Sequence, residues 1–223
     1  MSSYMSSVVT FIGWHDSGKT TLVKQVVAAL KKLGYRVAVI KSSNDSGIQF
    51  DTPGTDTFMH KEAGAESVML VAPDQMVLQT INSGLSLRTL AHRYFPDVDI
   101  VIGEGFKRAK KIPKIEVFRD LDQKLRDEVQ GVIAVATNLE GIDGNYVFRL
   151  DEAAEIALFI EKRFITRKNG RETTVLLVNG NKIPIKDYIQ EVLAGTVHGF
   201  VKTLKLDKEI SEIELRIKIG GAE

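Results

Sequence analysis

Gly13-Trp14-His15-Asp16-Ser17-Gly18-Lys19-Thr20 fits G-x-x-x-x-G-K-[ST], the phosphate-binding P-loop, and no other stretch constrains the fold as much. Glycines let the chain curl so that successive backbone N–H groups point inward at phosphate oxygens. Lys19 is expected to reach the β- and γ-phosphates, and the Thr20 hydroxyl to ligate Mg²⁺. A helix starting at the loop adds the positive end of its dipole.

The surroundings meet that demand. Ser7 to Ile12 reads as a short apolar strand entering the loop. Beyond it Leu22, Val23, Val26, Val27, Leu30 and Leu33 recur at helical spacing, and Gly34 follows as a stop after Lys31 and Lys32. A chance match to the motif in a chain this long occurs at roughly the one-per-cent level.

Composition narrows the function classes. The 223 residues allow one larger domain, or one domain with a small appendage. A net charge of +1 predicts no general affinity for nucleic acid or anionic membrane. Without cysteine, disulfides, thiolate metal sites and Cys nucleophiles are excluded. His15, His60, His92 and His198 form no H-x-x-x-H pair, which argues against zinc. The N-terminus lacks a signal-peptide pattern and no apolar run reaches about 18 residues, so the cytoplasm is expected.

Apolar strands then alternate with helices. Strands are expected at Arg36–Ile40, Ser67–Ala72, Met76–Thr80, Val98–Gly103, Ile115–Arg119 and Val132–Ala136. Helices are expected at Thr55–Ala63, at Leu87–Phe95 capped by Ser86, and from an Asp151 cap to about Phe164. This pattern predicts an α/β P-loop domain, a mostly parallel sheet with helices on both faces. The polar stretch Thr166 to Arg171 divides it, residues 1–165, from a C-terminal α+β appendage, residues 166–223. The appendage reads as a hairpin turning at Asn179-Gly180, a helix opened by an Asp187/Gln190 capping box, and a last strand Ile210–Ile219. So small a unit should pack on the main domain or on a second subunit.

Other residues are candidates by position. Glu104 ends a strand just before Gly105, where a P-loop protein needs a second Mg²⁺ ligand; the alternative is a solvated strand end. The polar loop from Ser42 to Asp56 carries Asp45, Asp51 and Asp56, any of which could face a γ-phosphate or lie on a plain surface loop. Asn138 follows a strand and could read a base edge or make a turn. Lys107, Arg108, Lys110, Lys111 and Lys114 could hold a second anionic group or be a solvated run. His15 reads as a tolerated loop position and Trp14 as a packing or rim residue.

Four segments together carry a sharper signal: GWHDSGKTTL from Gly13, RVAVIK from Arg36, FDTPGTDTFMHKEAGA from Phe50 and GEGFKRAKKIPKIEVFR from Gly103. In order and spacing the chain from about residue 7 to 165 resembles the molybdopterin-guanine dinucleotide biosynthesis adaptor family (MobB). The resemblance implies a GTP-binding protein with weak Mg²⁺-dependent hydrolysis, usually a homodimer, that assists the molybdenum cofactor guanylyltransferase joining GMP to molybdopterin. It implies that Gly13, Trp14, His15, Asp16, Ser17, Gly18, Lys19, Thr20 and Thr21 hold phosphates. It further implies that Thr20 and Glu104 serve Mg²⁺ and that Asp51 lies in a switch-like loop; in such a protein the basic run could contact a pterin-type ligand or a partner. Two positions depart from the family pattern. Ser42-Ser43-Asn44-Asp45 replaces a His-rich run, and Asn138 stands where Asp is common.

Two other readings share the loop. One is a small-molecule kinase using Mg-ATP, which would need a mobile lid after Glu104, where Pro113 follows quickly. The other is a nucleotide-gated interaction module without turnover.

Overall fold

The computed structural model describes residues 7–165, 174–178, 181–183, 185–204, 206, 209–210 and 212–217. A six-stranded, wholly parallel sheet forms the centre. Its strands are β1 (Ser7–Ile12), β2 (Val37–Lys41), β5 (Ile100–Glu104), β6 (Lys114–Val117), β7 (Val132–Ala136) and β8 (Val147–Phe148), in spatial order β2-β5-β1-β6-β7-β8. Strand β5 is buried along its whole length, as its apolar run requires in a sheet covered on both faces.

Helix α1 (Lys19–Lys32) lies on one face beside α4 (Ala153–Ile160). Leu22, Val26 and Leu30 of α1 meet Ile156 and Ile160 of α4 over Val9, Phe11, Ile100, Ile102, Ile115 and Val117 of the sheet. The α1 stop follows the expectation. Gly34 takes φ 90°, its N–H donates to the Lys31 carbonyl, and the Tyr35 N–H donates to Leu30 O. This is a Schellman ending that only a left-handed residue completes without strain. On the opposite face α3 (Leu87–Tyr94) sets Leu87 and Ala91 against Val8, Ala38, Val101 and Ile112. The Ser86 hydroxyl accepts from Thr89 N, the expected cap.

Between β2 and α3 the chain forms α2 (Asp56–Glu62) and a separate antiparallel hairpin of β3 (Ser67–Val71) and β4 (Met76–Thr80). The hairpin stands outside the main sheet, with Met69, Leu70, Val71, Met76, Val77 and Leu78 all exposed.

The appendage differs in part from expectation. Its hairpin forms as β9 (Leu176–Val178) paired with β10 (Asn181–Ile183), the turn residues 179–180 lying outside the described residues. Strand β10 approaches α3, so the hairpin packs on the main domain. Helix α5 (Asp187–Lys202) begins one residue earlier than a capping box requires. Lys186 is the cap, and the Gln190 amide donates to Ile185 O at 3.3 Å. Likewise Glu152, not Asp151, stands at the start of α4, which passes into a π-helical turn at Glu161–Ile165. Of the last expected strand, the described residues 210 and 212–217 form no strand, and 211, 218 and 219 lie outside the described residues. Alternating Ile and charge suits a strand face, yet a strand needs a neighbouring edge to bond.

Candidate functional site

Parallel strands deliver their carboxyl ends to one edge of the sheet, where loops gather. Here that edge collects Gly13 after β1, Lys41 and Glu104 ending β2 and β5, Arg119 after β6 and Asn138 after β7. Strand order, not sequence proximity, brings these residues together.

The P-loop turns as its glycines permit. A Cβ on Gly13 would sit 2.2 Å from the Val117 carbonyl oxygen, so the loop leaves β1 by pressing its backbone on β6. Gly18 takes φ 91°, a left-handed geometry, and a Cβ there would come within 3.1 Å of the Arg119 guanidinium. The Lys19 ammonium folds back over the loop, donating to the Trp14 carbonyl and, at 3.3 Å, to Ser17 Oγ. Burial pushes its pKa below the usual lysine value; Glu104 opposes that shift, while Lys107 and Lys41 add to it.

Thr20, in the first turn of α1, donates its hydroxyl to Glu104 Oε1 at 2.6 Å. Lys41 lies in register with Glu104 on the adjacent strand, and its ammonium is 3.3 Å from the same oxygen. Glu104 is buried. A hydroxyl and a carboxylate converging beside the phosphate loop are the hard oxygen donors that Mg²⁺ takes when phosphates and waters complete its shell. No group of three or more His, Cys, Asp or Glu is gathered among the described residues, so a fully protein-ligated metal is not offered there. The donor set therefore fits Mg²⁺ held jointly by Thr20, Glu104 and a bound phosphate.

A pocket of about 510 Å³ opens beside Gly18 and Thr21 and is lined further by Leu22, Gln25, Arg119, Asn138, Leu150 and Asp151. It adjoins the helix end of the phosphate loop. Asn138 Oδ1 accepts from Leu150 N at 3.0 Å, so its NH₂ is what Asn138 can offer a ligand. Asp151 sets a carboxylate on the same pocket, 3.6 Å from Arg149. The sequence pattern marks Asp151 only as a helix cap and does not single out Arg119 or Lys41. The signal for all three is their position just past, or at, the end of a parallel strand.

The remaining candidates fall elsewhere. Asp51 Oδ1 accepts from Thr52 N at 2.8 Å and from the Thr55 hydroxyl at 2.9 Å, closing its own loop. Bonds from Thr57, Thr55 and Thr52 hold its carboxyl below the ordinary range. His15 and Asp16 pair with each other at 2.8 Å on the exposed rim. The basic run divides. The Lys107 ammonium lies 3.8 Å from the centre of the Trp14 ring. Lys114, expected with the surface cations, is instead buried in β6, donating to the carbonyls of Ala109, Ile112 and Gln130. It belongs to the framework because no water is needed to satisfy its three donors.

The chain matches the model of the family described as molybdopterin guanine dinucleotide synthesis protein B, MobB, over residues 8–138. It is 34% identical to a Haemophilus influenzae molybdopterin-guanine dinucleotide biosynthesis adapter protein, covering 67% of this chain and 84% of that one. It is 32% identical to its Escherichia coli K12 counterpart, over 60% and 80%. A Methanocaldococcus jannaschii protein, provisionally named as such an adapter, is 26% identical over 96% of this chain and 98% of its own, a match that extends into the appendage. Among solved structures, one of molybdopterin-guanine biosynthesis protein B superposes with a TM-score of 0.56 at 29% identity, over 70% of this chain and 98% of the other. Bacillus subtilis MobB shares the fold at a TM-score of 0.58 and 21% identity, over 70% and 97%. With its P-loop, its strand-end Glu104 and this match across more than half its length, the chain belongs to the MobB family.

Proposed function

We propose that this protein is a GTP-binding adapter in the formation of molybdopterin-guanine dinucleotide, acting beside the guanylyltransferase that transfers GMP to molybdopterin. The observation that carries the reading is the Thr20 hydroxyl meeting the Glu104 carboxylate at 2.6 Å, next to Lys19 and a pocket of base-and-ribose size. Lys19 and the loop N–H groups would bind the phosphate chain, and Thr20 and Glu104 would hold a Mg²⁺ that offsets the phosphate charge. The pocket favours guanine. Its base edge offers the O6 acceptor to the Asn138 NH₂ and N–H donors to the Asp151 carboxylate, whereas adenine offers its amine where O6 would be. Hydrolysis is weak, in keeping with Asp51 bonded into its own loop rather than aimed at a water. Residues 105–113 form a close turn, with Ala109 N on Phe106 O and Arg88 on Lys111 O, which leaves a kinase no lid there.

The protein acts as a homodimer, with the exposed β3–β4 hairpin as the contact. A two-stranded hairpin with apolar side chains on both faces is marginal alone. No described helix is long and apolar enough to cross a membrane.

Calorimetric titration with GTP and ATP, with and without Mg²⁺, tests the nucleotide reading. GTP should bind more tightly than ATP and need Mg²⁺. Adding the protein to purified guanylyltransferase, molybdopterin and GTP should raise dinucleotide yield. Failure to bind either triphosphate, or no effect on yield, overturns the proposal.

A further inference from the structure

Three ammonium groups converge on the mouth of the P-loop: Lys19 on the Trp14 carbonyl, Lys41 on Glu104, and Lys107 on the Trp14 ring. The first two rest on oxygen atoms. The third rests on a π face, which holds a partly buried ammonium weakly compared with a phosphate oxygen. We propose that Lys107 is a ligand of the terminal phosphate, held on the indole of Trp14 until a nucleoside triphosphate enters, so that the pair tells triphosphate from diphosphate. This rests on the reading that the P-loop takes a nucleoside triphosphate.

Position argues for the terminal phosphate. The pocket for ribose and base opens at Gly18 and Thr21, at the helix end of the loop. Trp14 lies at the other end, and its carbonyl holds the lysine that in a loaded P-loop sits between the β- and γ-phosphates. Lys107 is therefore on the far side from the base.

The backbone carrying Lys107 is fixed while its side chain can swing. Gly105 N donates to Phe11 O at 2.9 Å, the Thr10 hydroxyl donates to Gly105 O at 3.0 Å, and Ala109 N donates to Phe106 O at 2.9 Å. Phe106, in a left-handed conformation with φ 50°, turns the chain so that the next residue faces the loop. Glu128 is the carboxylate whose field reaches Lys107, whose pKa burial lowers. Of the remaining basic run, Lys114 is committed to three backbone carbonyls.

Trp14 is the single tryptophan of the chain, so its emission reports this contact directly. The full-length protein is titrated in Mg²⁺ with a non-hydrolysable GTP analogue and with GDP, following emission and, in parallel, heat. The triphosphate should change the emission and GDP should leave it near that of the free protein. Lys107→Met should bind the triphosphate about 10- to 150-fold more weakly, bind GDP unchanged, and lose the triphosphate-specific emission change. Lys107→Arg, which keeps the charge, should retain the preference for triphosphate over diphosphate, and it stands in if the Met variant does not fold. Equal loss of both nucleotides in Lys107→Met, no loss of either, or a wild-type emission change as large with GDP as with the triphosphate overturns the proposal. If calorimetry finds no binding of any nucleotide by the wild type, the nucleotide reading itself falls. If nucleotides bind with the pattern unmoved by Lys107, only this inference does.

Discussion

The Thr20 hydroxyl and the Glu104 carboxylate meet at 2.6 Å across 84 residues of chain, one on the first turn of α1 and the other at the last residue of β5. Strand β5 lies directly beside β1, with Phe11 in register with Glu104. That pairing brings the end of β5 level with the start of the loop. The arrangement requires a carboxylate at that level and no other, since one residue earlier would face the opposite side of the sheet.

Glu104→Gln should therefore separate metal from fold. Shape is kept and charge is lost, so nucleotide affinity should become nearly independent of Mg²⁺ in a titration with and without the metal. Thermal stability without nucleotide should change little, because Gln can still accept from the Thr20 hydroxyl and the Lys41 partner is 60% exposed, so water can solvate its freed ammonium. A large fall in melting temperature would instead mark Glu104 as a structural anchor.

Lys19→Ala removes the cation folded over the loop. Its charge-assisted contacts with phosphate are worth about 1.5–3 kcal/mol, or roughly 10- to 150-fold in affinity. Equilibrium binding of GTP measures this, and an unchanged dissociation constant would refute phosphate binding at Gly13–Thr20.

Base choice should depend on Asp151. Replacing it with Ala removes the acceptor proposed for the guanine N–H groups and should lower GTP affinity by about 1–3 kcal/mol while ATP binding stays level. Asn138→Ala should act in the same direction. Parallel losses for GTP and ATP would show that the pocket holds ribose or phosphate rather than reading the base.

Much of this was legible in the chain because it is local. The loop, the strand before it, the helix after it and the Gly34 stop are all determined within thirty or so residues by turn chemistry and periodicity. Glu104 was legible because Gly105 marks it as a strand end near backbone. Lys41, Arg119 and Asp151 were not, because their meeting depends on the order β2-β5-β1-β6-β7, which no local pattern encodes. Lys114 looked like its basic neighbours, yet strand β6 turns it inward onto three carbonyls. The alternation at residues 210–217 promised a strand, but strand formation also needs an edge to pair with.

Glu116 should matter to stability rather than to chemistry. It is wholly buried and accepts from the N–H groups of Leu125 and Arg126, while its second oxygen lies 3.6 Å from Arg126 Nε, too far for a hydrogen bond. These contacts tie down the segment that follows Arg119. Glu116→Ala leaves a mostly buried guanidinium without its partner, which costs about 3–5 kcal/mol. Denaturant unfolding should register that loss, and a variant within about 1 kcal/mol of wild type would show that the pair is dispensable.

The hairpin offers the test of assembly. Leu70 lies opposite Val77 and Val71 opposite Met76, and all four are exposed within one chain. A second copy laid against this hairpin would cover apolar surface that otherwise invites aggregation. Leu70→Lys with Val77→Lys puts like charges at directly opposed positions in the middle of that surface, which opposes burial in a subunit contact. Because these residues are outside the main core, the domain should still fold and still bind nucleotide. Light scattering coupled to size exclusion should show the wild type as a dimer and the double variant as a monomer. A wild-type monomer, or a double variant that remains dimeric, would move the subunit contact elsewhere, with the exposed Val192 and Phe200 of α5 the next surface to substitute.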